Sequence, residues 1–147
     1  QVLTKLESEL ITRYWDDIDA AIRASVPPLA DATDEALNNI YARLLQDVMQ
    51  AWALVDMTEE KTTVYAMVIT TVWADPGTAD RNLLIYGLYG YKTIEASMWK
   101  DGLETLKKYA KGMNCRAIVA LTSVPRITQI VESLGGDAST YFLTLEV

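Results

Sequence analysis

The first apolar residues of the chain recur at helical spacing. Leu3, Leu6, Leu10, Tyr14, Ile18 and Ile22 fall three or four positions apart, which is the repeat of one face of an α-helix. Asp16, Asp17 and Asp19 lie mostly on the other side, so the pattern predicts an amphipathic helix over residues 3–24. Ser25-Val26-Pro27-Pro28 ends it, because proline cannot continue a helix. A second helix is predicted from about Asp34, with Thr33 or Asp34 as its cap. Leu37, Ile40, Tyr41, Leu44, Leu45, Val48 and Met49 give it a broad apolar face.

The period then changes. Ala51–Asp56 is a short apolar run, and Met57–Lys61 is a polar connection. Thr62–Trp73 is rich in Thr, Val, Tyr and Ile and reads as a long strand. Asp75-Pro76-Gly77 signals a turn, and Asn82–Tyr91 is the next strand. Together these predict a three-stranded antiparallel meander.

Residues 95–113 return to helical spacing through Trp99, Leu103, Leu106, Ala110 and Met113. Glu104 and Lys108 form a favourable i,i+4 pair, and Lys107, Lys108 and Lys111 sit near the negative end of the helix dipole. Gly112 and Asn114 terminate the helix. Arg116–Leu121 is a short strand, which a crossover helix makes parallel to the strand before it. Pro125–Leu134 is a short helix stopped by Gly135-Gly136, and Tyr141–Val147 alternates like a final strand.

The predicted fold class is α/β (α+β). A mixed, mostly antiparallel sheet of strands 62–73, 82–91, 116–122 and 140–147 carries helices on both faces. One domain is expected over 1–147, with N-terminal helices over about 3–50 and the sheet and its helices over about 51–147.

Composition narrows the function. The 147 residues can bury a sizeable core, and half of them are hydrophobic. The net charge is -7 with no dominant basic stripe, so no nucleic-acid partner is expected. There is no histidine, which removes the commonest metal ligand and general base, and no metal site is expected. Cys115 is the single cysteine. It has no histidine partner and reads as a buried structural thiol. No run of about 18 apolar residues marks a membrane span, and no signal-peptide pattern opens the chain.

The order and spacing of elements from Asn82 onward resemble the GNAT N-acetyltransferase superfamily. The resemblance lies in Leu103-Glu104-Thr105-Leu106-Lys107-Lys108-Tyr109-Ala110, in Asn114-Cys115-Arg116-Ala117-Ile118, and in Val131-Glu132-Ser133-Leu134-Gly135-Gly136. It implies a site for acyl-coenzyme A, built on a Q/R-x-x-G-x-G/A loop before the long helix, where glycines let backbone amides close on a pyrophosphate. Here the motif positions fall on Ile94, Ser97 and Trp99, with Glu95 adding a negative charge. The position of the family's last-helix tyrosine falls on Val131.

The loop therefore looks eroded, and the chain is similar to degenerate GNAT-like proteins of short-tailed bacteriophages. The resemblance implies a non-enzymatic protein acting by contact with other proteins, virion components or copies of itself, in a virion or infected host cytoplasm. No cofactor is expected on that reading. The alternative is a divergent acetyl-CoA-dependent N-acetyltransferase. If the protein is an enzyme, Tyr86 or Tyr89 is the proton donor. The lysines of residues 100–111 and the acidic residues of the first two helices read as solvated faces.

Overall fold

Five strands form one sheet in the order β1-β2-β3-β4-β5. In the computed structural model, which describes residues 2–27, 30–58, 61–122 and 124–147, the strands are β1 (Val2–Lys5), β2 (Met49–Asp56), β3 (Thr63–Ala74), β4 (Arg81–Gly90) and β5 (Ala117–Ala120). The helices are α1 (Ser8–Arg13), α2 (Trp15–Ser25), α3 (Asp34–Leu45), α4 (Ala96–Gly112) and α5 (Pro125–Ser133). β1 to β4 are antiparallel neighbours, and β5 is parallel to β4. The sheet is thus mixed and mostly antiparallel, with helices on both faces.

Three expectations are corrected. The first helix does not run over 3–24. Residues 2–5 are instead an edge strand on β2, and the helix breaks at Tyr14 into α1 and α2. Leu3 serves either reading, because its side chain is buried in the sheet core. The expected three-stranded meander is present as β2, β3 and β4, with Ala51–Asp56 inside the longer β2, and β1 adds a fourth antiparallel strand that was not expected. Residues 140–147 form no strand, and every side chain from Thr140 to Val147 is exposed. Alternating character cannot make a strand without a partner edge, and this segment meets none. The connection expected over 57–61 falls partly on 59–60, and Pro28 is at 28, outside the described residues.

Each face of the sheet has its own core. On one side Ile11, Ile18, Ala21, Ile22, Leu37, Ile40 and Leu44 of α1 to α3 pack on Met49, Ala51, Met67 and Ile69. Trp15 stacks on Tyr41 with ring centroids 4.4 Å apart. Arg23 ties α2 to α3 by bonding Asp19, Asp34 and the Ala32 carbonyl. On the other side Met98, Leu106 and Ala110 of α4 pack on Leu3, Trp52, Leu54, Ala66, Val68 and Leu83. The face that α4 buries is Met98, Gly102, Leu106 and Ala110. That is rotated from the predicted stripe, and Trp99 is only partly buried. Glu104 bonds Lys107 at 3.5 Å rather than Lys108.

Three helices end in the same way. Asp47, Asn114 and Gly135 have positive φ just past α3, α4 and α5. The following amides bond back to the carbonyls of Arg43, Ala110 and Val131 at 3.0, 2.8 and 2.9 Å. This Schellman geometry satisfies otherwise orphaned carbonyls and turns the chain sharply.

The middle of the sheet holds a closed polar relay. Trp52 Nε1 donates to Thr70 Oγ1 at 2.9 Å, Thr70 Oγ1 donates to Gln50 Oε1 at 2.9 Å, and Gln50 Nε2 donates to the Asp47 carbonyl at 2.9 Å. Thr70 is 0 % and Gln50 2 % exposed. A buried donor without a partner costs its full desolvation penalty. Thr70→Val keeps the volume but strands the Trp52 N–H and the Gln50 carbonyl, so urea denaturation should show a loss of about 1–3 kcal/mol.

Candidate functional site

β4 and β5 pair only from Asn82 opposite Ala117 to Ile85 opposite Ala120. β5 ends there, while β4 continues to Gly90. Among the described residues, the edge of β4 from Tyr86 to Gly90 that follows this pairing has no strand partner. Two irregularities fall on β4 just past this pairing. The register between β3 and β4 steps from Ile69 opposite Gly87 to Thr70 opposite Ile85, leaving Tyr86 as an extra residue. Such a bulge bends its strand and increases the twist. Next to it, a Cβ on Gly87 would lie 2.9 Å from Ser25 Oγ and 3.3 Å from the Ser25 carbonyl oxygen. The end of α2 therefore bears on β4 at a position that only glycine fills without displacement.

The same end of the sheet gathers the other parts. Because β4 and β5 are parallel, their C-terminal ends point the same way, and α4 and α5 each start shortly after them. In open α/β sheets this is where ligands bind. Glu95 is the N-cap of α4 but makes no side-chain cap bond, and no acidic residue follows in the first turn. The first-turn amides of Ala96, Ser97 and Met98 therefore have no helical acceptor, and they carry the positive end of the dipole of a 17-residue helix. Ala96 and Ser97 are exposed.

The residues singled out in the sequence fall on both faces of the sheet. Ile94 is buried beside Gly90 in the α4-side core. Ser97 stands exposed on the first turn. Trp99 is one turn in and packs against the α4-side core. Met98 is the most buried residue of that turn, and the sequence reading missed it. Tyr86 packs on the opposite core, with α1 to α3. Tyr89 meets Tyr91 edge to face with centroids 5.1 Å apart. The bulge at Tyr86 was also missed, and only the glycine after it hinted at an irregular strand. Cys115 is partly buried, its Sγ 4.0 Å from the Met113 carbonyl oxygen. Val131 is half-buried on α5.

Burial pushes the Tyr86 phenol above its ordinary pKa. Burial also raises Tyr91, with the negative charge of Asp17 and the Tyr89 phenol adding to it. Both are protonated donors at neutral pH. Among the described residues no three His, Cys, Asp or Glu side chains converge as a metal site, and no helix is long and apolar enough to cross a membrane.

No family model matches the chain, and no curated protein matches it. Solved structures do. The aminoglycoside N-acetyltransferase AAC(6')-Iy, in complex with a CoA bisubstrate analogue, superposes with a TM-score of 0.68 at 8% identity, over 99% of this chain and 96% of that one. Ribosomal-protein-alanine N-acetyltransferase from Brucella melitensis biovar Abortus 2308 gives 0.63 at 14%, over 100% and 99%. Glucosamine-6-phosphate N-acetyltransferase from Arabidopsis thaliana gives 0.63 at 15%, over 98% and 96%.

The fold is that of the GNAT acetyltransferases. At these identities the likeness establishes the GNAT fold alone, and nothing in it supports a bacteriophage or virion origin. The expectation that the chain takes no cofactor does not stand. AAC(6')-Iy is solved with CoA as well as with the analogue. The expectation rested on missing glycines over 94–99, yet the helix N-terminus they would precede is built here without them, with its first-turn amides uncapped.

The raised tyrosines set a pH dependence. Their folded pKa lies above the unfolded value near 10, so the unfolded chain releases protons first as pH rises. Stability should be level below about pH 10 and fall above it. Ultraviolet titration should show a tyrosine step above the ordinary range, and Tyr86→Phe should remove part of it.

Proposed function

We propose that the protein is an acyl-coenzyme A-dependent N-acyltransferase acting at the opening between β4 and β5. The observation that carries this reading is the juxtaposition of that opening with the uncapped N-terminus of α4. The amides of Ala96, Ser97 and Met98 and the Ser97 hydroxyl are the donors for a pyrophosphate, which a helix N-terminus favours through both its free N–H groups and its dipole. The unpaired backbone edge of residues 86–90 offers hydrogen bonds to the amides of an extended pantetheine arm, as a sheet edge does to an added strand. The bound group supplies an activated thioester carbonyl.

The rest of the chemistry falls to this chain. Tyr86, kept protonated by its burial, donates the proton that the leaving sulfur needs. With no histidine in the chain, the attacking amine gives up its proton to solvent at the open end of the strands. Glu95 is exposed at the N-cap and weakens anion binding there without blocking it.

Isothermal titration with acetyl-coenzyme A should give a Kd of about 10 µM, between the ~1 µM and ~1 mM marks at roughly -8 and -4 kcal/mol. Absence of binding at about 1 mM, a concentration that already corresponds to only roughly -4 kcal/mol, would contradict the reading. Glu95→Gln should tighten binding by about 2–5-fold, the ~0.3–1 kcal/mol typical of one charge at a helix end. In an acetylation assay, Tyr86→Phe should lower turnover by about 100-fold or more with the acetyl-coenzyme A Kd unchanged. An unchanged rate would remove Tyr86 from the proposed role.

A further inference from the structure

α2 packs along β4 on the face of the sheet away from α4. Gly87 receives the end of α2, since a Cβ there would meet Ser25. The next residues alternate. Leu88 packs with the α4-side core, and a Cβ on Gly90 would lie 4.0 Å from Ile94 of that same core. Tyr89 and Tyr91 therefore share the α2 face with Gly87. The extended pattern reaches that far, because the Tyr91 amide bonds the Tyr65 carbonyl at 2.9 Å. The charge of Asp17 acts on the Tyr91 phenol, so α2 runs antiparallel to β4. The lengths agree: from Ser25 back to Asp17 the helix spans about 12 Å, and from Gly87 to Tyr91 the strand spans about 13 Å.

Asp17 and the two tyrosines thus meet at the open end of β4. Tyr89 and Tyr91 are 36% and 44% exposed, and their rings stand at 80° to one another. Two aromatic faces at so steep an angle make a corner for a compact cation rather than a slot for a flat ring. Asp17 is exposed beside them, and among the described residues no ion pair engages it. Arg23, the basic residue of α2, is held instead by Asp19 and Asp34. The surrounding field has the same sign, because α1 to α3 carry more acidic than basic side chains.

We propose that the acceptor is a small linear aliphatic amine bearing a second ammonium group, gripped at that second ammonium by Asp17 and the faces of Tyr89 and Tyr91. The transfer step rests on the acyltransferase reading, whereas the binding rests on α2 and β4 alone. The two nitrogens have different tasks. The one that attacks a thioester must be neutral, so it offers nothing to a carboxylate. A second, charged nitrogen is held without loss of nucleophilicity at the first. The neutral nitrogen attacks the thioester carbonyl near Tyr86, forming the C–N bond as the C–S bond breaks. The sulfur takes the Tyr86 proton, the new amide nitrogen loses one to solvent, and solvent returns one to Tyr86. From Gly87 to Tyr89 or Tyr91 is about 7–13 Å along the strand. A terminal diaminooctane bridges that distance and diaminoethane does not.

Two measurements test this. Diaminooctane titrated into the full chain without any acyl donor should shift the amides of Asp17, Tyr89 and Tyr91 in nuclear magnetic resonance spectra. Asp17→Asn should weaken that binding about tenfold, which is ~1.4 kcal/mol, with circular dichroism unchanged because the side chain is exposed. Tyr91→Phe should keep the affinity, and Tyr91→Leu should lose about threefold of it. Shifts elsewhere, or equal affinity in Asp17→Asn, overturn the proposal whether or not the protein transfers acyl groups. In an acetylation assay, kcat/KM should favour diaminooctane over octylamine and over diaminoethane by about tenfold. Asp17→Asn should erase the preference over octylamine through KM, with kcat unchanged. Equal use of diaminooctane and octylamine, or better use of a lysine-bearing peptide than of either, overturns the proposal and leaves the acyltransferase reading standing.

Discussion

Pairing between the two parallel strands stops at Ile85, and most of what is specific to this molecule follows from that. Up to Ile85 the sheet is continuous, and α4 covers it with an ordinary apolar face. Beyond it, the extra residue Tyr86 bends β4, and Ser25 of α2 bears on the strand at Gly87. β5 ends at Ala120, so it does not follow β4. The result is an opening flanked by a bare strand edge and the free amides of a long helix.

The two cores hold this opening between them. The core under α1 to α3 includes Tyr86, and the core under α4 includes Ile94 and Met98. Each core thus anchors one wall of the opening. The relay from Trp52 through Thr70 and Gln50 to Asp47 crosses β2 and β3, away from the opening. It has no unsatisfied group, since no buried side-chain nitrogen or oxygen among the described residues lacks a partner. Such a network holds the strands in one register, because a slip of β3 by one residue would break both bonds that Thr70 makes to β2.

Local chemistry made much of the fold legible. Thr33 accepts from the Ala36 amide as the cap of α3, and Asp75 receives the amides of Gly77 and Thr78 in the turn between β3 and β4. The crossover from β4 through α4 to β5 is parallel, as strand-helix-strand spacing requires. What was not legible depended on distant partners. Leu3 has the spacing of a helix but lies in a strand because β2 offers it an edge. Thr140 to Val147 alternate like a strand but have no edge within the described chain. At the site, Ile94, Ser97 and Trp99 were singled out from sequence, and they lie at or just before the start of α4. The conclusion drawn from their lack of glycine was too strong, since the uncapped amides belong to the backbone and no side-chain pattern reports them. The same holds for the bulge at Tyr86, which is a property of register between two strands.

The measurement closest to the central claim is amide-resolved nuclear magnetic resonance on the full chain titrated with coenzyme A. If the opening between β4 and β5 is the ligand site, the amides of Ala96, Ser97 and Met98 should shift first and most, followed by those of residues 86–90. Shifts confined to other surfaces, or none at about millimolar ligand, a weakness of roughly -4 kcal/mol or less, would contradict the account.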